Sequence, residues 1–177
     1  MANAEIEGAR SRWRAVGWGA AGLTLLLPLI AMQFTREVSW TAGDFLFAAM
    51  MFGLVGLTIE LAVRTSRSPS YRGGVGAAVA ASFLIVWANG AVGMIGNEDN
   101  PYNLLFLGVI MVALLGSVLA RFRARGMAIA MVTAAAAQVA IGIGGISTDI
   151  RGGILSMLFA GLWLLSAALF RNAARDA

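Results

Sequence analysis

Six stretches of about 20 predominantly apolar residues alternate with short polar connectors along the chain. A helix rising about 1.5 Å per residue needs that length to cross roughly 30 Å of hydrocarbon. The stretches fall at about 15–34, 42–63, 74–95, 102–120, 126–146 and 154–170. Strands of a membrane barrel would instead show segments of roughly ten residues alternating apolar and polar positions, and no such alternation is present. The pattern therefore predicts an all-α fold, a polytopic transmembrane bundle of six helices forming a single integral membrane domain over residues 1–177. The third and fifth stretches are rich in Gly, Ala and Ser, which let backbones approach where no hydrophobic effect drives helices together, so they are expected to pack closely in the bundle interior. The fourth is bulky, and Val109 on it is expected to face lipid.

The connectors carry recognisable stops and starts. Residues 1–14 bring Arg10, Arg12 and Arg14 up to the first apolar run. That is the pattern of a signal anchor rather than a cleaved signal peptide. Pro28 removes one backbone bond inside the first helix and predicts a kink. Thr41 and Asp44 have the spacing of a capping-box variant at the start of the second helix. Glu60 precedes Arg64 by four residues, the favourable order for an ion pair on one helix face. TSRSPSY, around Pro69, is expected to be a turn-rich loop. In the segment WANGAVGMIGNEDNPYN, Asp99 or Asn100 is placed to cap the fourth helix, with Pro101 at its first position, and Glu98 and Asp99 complement the positive helix end.

Composition sharpens this picture. Of the 177 residues, 59% are hydrophobic and 12% charged, and the mean hydropathy is +0.80. A soluble domain is nearer half apolar and a quarter charged, so this chain needs lipid as its solvent. All 13 basic residues are Arg, and the chain has no His and no Cys. Without them there is no ordinary haem ligand, no thiolate or imidazole metal site and no His-activated nucleophile. Without Lys there is no Schiff base. All but Arg36 and Arg151 of the arginines lie at the N-terminus, in the second and fourth connectors, or in the C-terminal tail. The positive-inside rule then places both termini in the cytoplasm and the acidic turn outside. The +4 net charge speaks of anionic lipid rather than nucleic acid.

Candidate chemistry comes down to a few polar groups. Asn89 lies about 15 residues into the third helix, roughly 22 Å across the bilayer, with Gly93 on the same face. Gln138 lies about 18 Å along the fifth, near the midplane, in line with Ala130, Ala134 and Gly142. Intramembrane amides are functional suspects, and they are also the groups that hydrogen-bond helices to one another. Asp44 and Glu60 have local accounts as cap and ion pair. Glu98 and Asp99 lie in the acidic turn, where the spacing of an EF-hand is absent. No catalytic, cofactor or metal residue is expected.

Sliding DFLFAAMMFGLVGLTIELAVR onto NLLFLGVIMVALLGSVLARFR pairs Asp44 with Asn103 and Phe47 with Phe106, and the third and fifth helices pair Gly90 with Gly142. This predicts a parallel duplication of a two-helix hairpin. The segments MQFTREVSW, DF, ELAVR, WANGAVGMIGNEDNPYNLLF and ARFRARGMA resemble a family of short six-helix bacterial membrane proteins, over roughly residues 30–130. The resemblance implies a multi-pass protein of the bacterial inner membrane and carries over no catalytic residue. Taken together, the expectation is a non-catalytic membrane component, without cofactor, that associates with itself or with a larger membrane complex. The alternative is a small-solute or ion permease or channel working as an oligomer.

Overall fold

The computed structural model describes residues 2–176, with side chains from Arg14 onward. It is all-helical over the described residues: α1 (Ala2–Phe34), α2 (Ala42–Thr65), α3 (Pro69–Ala91), a single 3-10 turn (Pro101–Asn103), α4 (Leu104–Leu119), α5 (Ala124–Gly145), α6 (Ile150–Leu158) and α7 (Ala160–Ala173). α6 and α7 follow each other with one irregular residue between them and make a single apolar length, Ile150–Ala173. Among the described residues there are thus six lengths long and apolar enough to cross a membrane, as expected for a multi-pass membrane protein. Two compact units divide the chain, Met1–Leu57 and Thr58–Ala177.

In the first unit α1 runs unbroken through Pro28. The indole of Trp18 lies over Gly56, where a Cβ would come within 2.6 Å of the ring. The start of α2 is fastened as the spacing predicts. The Asp44 carboxylate accepts from the Thr41 amide (2.7 Å) and hydroxyl (2.8 Å), and the Asp44 amide donates back to the Thr41 hydroxyl (3.3 Å).

The second unit is built around its last span. α7 packs against both α3 and α5, and α5 packs in turn against α4 and α6, while α3 and α4 meet only lightly. The expected direct interface between the third and fifth helices is therefore replaced by one in which the α6–α7 span stands between them. Small residues on that span explain the order. The Ser166 hydroxyl reaches across to the Gly74 carbonyl at 2.7 Å, and Gly142 of α5 meets Gly153 of α6 so closely that a Cβ on Gly153 would lie 2.8 Å from the Gly142 carbonyl oxygen. Around these contacts Ile85, Phe106, Val109, Met131, Trp163 and Phe170 are fully buried. Val109 thus belongs to the core and not to the lipid face. A helix apolar on every side gives no periodicity from which its inner face can be read.

The start of α3 also differs. Ser68 caps it by accepting from the Tyr71 amide, and Pro69 takes its first position. The residues expected to form a turn therefore open the helix, because proline at a helix start and proline in a turn look alike in sequence. Arg72, now in the first turn of α3, donates to the carbonyls of Val63 (3.0 Å) and Ser66 (2.8 Å) and so closes the end of α2.

Candidate functional site

α3 ends at Ala91, one turn short of the expected boundary, because the chain reverses through two glycines with left-handed backbones, Gly93 (φ +75°) and Gly96 (φ +75°). Gly93 is consequently not on the face of Asn89. A Cβ there would overlap the Asn97 backbone and come within 2.8 Å of the Asn103 amide nitrogen, so only glycine fits.

The reversal closes on Asn103. Its side chain is buried, its Oδ1 accepting from the amides of Met94 (3.2 Å) and Ile95 (2.8 Å) while its Nδ2 donates to the Asn97 carbonyl (2.7 Å). Asn100 does the neighbouring work: its Oδ1 accepts from the Tyr102 amide and its Nδ2 donates to the Ile95 carbonyl. Pro101 occupies the first position of the turn that leads into α4. The amide cap and the proline are where the sequence places them.

Asp149, not among the candidate residues, ties this loop to the sixth span. One carboxylate oxygen accepts from the amides of Arg151 (3.0 Å) and Gly152 (2.9 Å), capping α6, and the other from the amide of Gly96 (3.1 Å). The Gly152 amide, then that of Gly96, holds the Asp149 carboxyl below its ordinary range, with Arg151 adding a smaller contribution. Glu98 and Asp99 are exposed in the reversal, and among the described residues no three carboxylates gather to hold a metal ion.

The intramembrane amides go separate ways. Gln138 is fully buried, and its Nε2 donates to the Ser156 carbonyl (2.9 Å) at the α5–α6 contact, leaving its Oε1 without a partner in the protein. Asn89 is half-buried. Its Nδ2 turns back to the Ile85 carbonyl of its own helix (3.0 Å), and its Oδ1 is likewise unpartnered. The indole nitrogen of buried Trp163 is the third such atom. Glu60 and Arg64 form the expected ion pair at 2.6 Å, and Asp44 is engaged by Thr41. The six candidate residues do not converge on one site. Each is fastened locally, exposed, or bound at a different helix contact.

What this arrangement can do is hold the chain together. The Asn103 clamp and the Asp149 bridge are long-range polar locks, the kind of pairing that helical spacing cannot reveal. Comparison with protein-family models, with curated proteins and with solved structures gives no match.

Proposed function

We propose that this protein is a non-catalytic component of the bacterial cytoplasmic membrane that associates with itself through the α1–α2 unit. The observation that carries the reading is the bareness of that unit. No residue in the apolar window of α1 is buried, and Gly17, Gly22 and Gly53 have nothing within 4 Å of where a Cβ would stand. Glycines with open space beside them on membrane helices are positions where a second helix can approach closely. The reading places both termini and the arginine-rich connectors in the cytoplasm, from the arginine distribution. It also keeps the duplicated hairpin as its account of origin, supported by Asp44 and Asn103 each fastening the entry to a span. Two differently tagged copies expressed together should co-purify in lipid nanodiscs, and Gly22→Leu with Gly53→Leu should separate them. Failure of the wild-type copies to co-purify would refute the reading.

One observation favours a permease as the second reading. The unpartnered Oε1 of Gln138 and Oδ1 of Asn89 are acceptors of the kind that line solute paths. Solute or ion flux in proteoliposomes that disappears in a folded Gln138→Leu variant would select it.

A further inference from the structure

Where α3 and α4 part, the second unit holds a partly open cavity of about 570 Å³. Leu61 and Ala62 of α2, Val75 and Ala78 of α3 line its walls, and Met131 and Trp163 lie against it from α5 and α7. The protons of four of its lining hydroxyls are already engaged. Thr65, Ser82 and Ser117 each donate to a carbonyl one turn back in their own helix, at 2.7, 2.9 and 2.6 Å, and Tyr71 donates to the Phe122 carbonyl at 2.9 Å. An acceptor-rich polar solute entering here would lose its water and find those donors occupied, whereas a hydrocarbon chain would lose nothing.

Arginines flank part of the cavity's lining along the chain. Thr65 and Ser66, which line it, lie between Arg64 and Arg67, and Phe122 lies between Arg121 and Arg123. The Tyr71–Phe122 hydrogen bond brings these two connectors together. Arg64 is paired with Glu60 and Arg72 is committed to backbone carbonyls, while Arg67, Arg121 and Arg123 are exposed.

The geometry points to a site for an anionic phospholipid, one acyl chain lying in the cavity and the phosphate held among Arg67, Arg121 and Arg123. Charge complementarity selects this occupant. A zwitterionic lipid would fill the cavity without answering the cluster of arginines, and basic pockets between membrane helices hold acidic head groups. The site goes beyond self-association through α1–α2 and does not depend on it.

The test is native mass spectrometry of the full chain released from nanodiscs containing equal amounts of phosphatidylglycerol and phosphatidylcholine with identical chains. The wild type should retain one phosphatidylglycerol in preference to phosphatidylcholine. Arg67→Gln with Arg123→Gln should still retain a lipid, but with the preference reduced about fivefold for each arginine removed. Ala78→Phe should fill the cavity and lose both lipids. Equal retention of the two lipids by the wild type would overturn the proposal, as would an unchanged preference in the arginine variant. So would wild-type retention by Ala78→Phe with normal helicity. Should Ala78→Phe fail to fold, the arginine variant decides, since both of its positions are exposed.

Discussion

Asn103→Leu removes the clamp of the reversal while keeping the branched, four-heavy-atom shape of the side chain, so the loss of its hydrogen bonds dominates the effect. The amides of Met94 and Ile95, both in buried residues, lose their partner, and the carbonyls of Asn97 and Ile95 each lose one of two donors. Side-chain hydrogen bonds in membrane proteins average about 0.6 kcal/mol, which for the four made by Asn103 sets a floor of about 2 kcal/mol. Here the two amides are stranded away from water, and each stranded buried group costs about 1–3 kcal/mol, so the expected loss is about 2–6 kcal/mol. Asn103→Asp keeps the acceptor and loses the donor to the Asn97 and Ile95 carbonyls, and should fall between the wild type and Asn103→Leu. Asn97→Ala, at an exposed position, should stay within about 0.5 kcal/mol of wild type. Reversible unfolding in mixed micelles of dodecyl maltoside and dodecyl sulfate, followed by circular dichroism, measures all three. An Asn103→Leu protein within about 0.5 kcal/mol of wild type would refute the clamp.

Gly142→Leu should overpack the α5–α6 contact, where even a Cβ meets Met157 at 2.5 Å and Ser156 at 2.8 Å, and cost about 1–3 kcal/mol or more in the same assay. Leu164→Ala, at an exposed position on α7, should cost much less. Asp149 contributes through its ionised form. Because its folded pKa lies below the ordinary 3.8, its stabilisation is present above that value and is lost as the pH falls through the lower folded one. Relative to Asp149→Asn, the wild-type unfolding midpoint should therefore drop on acidification below about pH 4, and parallel curves would contradict the bridge. Glu60→Gln should change stability by less than about 1 kcal/mol, since Arg64 is largely exposed and such pairs are screened. On this Cys-free chain, Asn97→Cys should react with an impermeant thiol reagent from outside and Arg67→Cys only after lysis. The reverse pattern would invert the topology.

The parts of the fold legible in sequence are those fixed by neighbours in the chain. Span lengths follow from bilayer thickness, and Thr41 with Asp44, Glu60 with Arg64, and Asn100 with Pro101 interact across at most four residues. What escaped reading depends on chain reversal or on which helices are neighbours. Asn103 became a clamp only once Gly93 and Gly96 turned the backbone, and Asp149 reaches Gly96 across 53 residues. The interior position of the α6–α7 span was hidden because its small residues are interspersed with bulky ones, and the burial of Val109 because a helix in lipid is apolar on all sides. Depth and small-residue neighbours mark the candidate amides in sequence, while their partners, Ser156 for Gln138 and the helix's own Ile85 for Asn89, follow only from the packing.

Self-association as proposed requires the open glycines of α1 and α2 to meet a second copy of the chain. Counting subunits by single-molecule photobleaching of the fluorescently tagged protein in nanodiscs tests it most directly. Two or more bleaching steps per particle are expected for the wild type and one for Gly22→Leu with Gly53→Leu. Single steps from the wild type, or multiple steps that persist in the double variant, would contradict it.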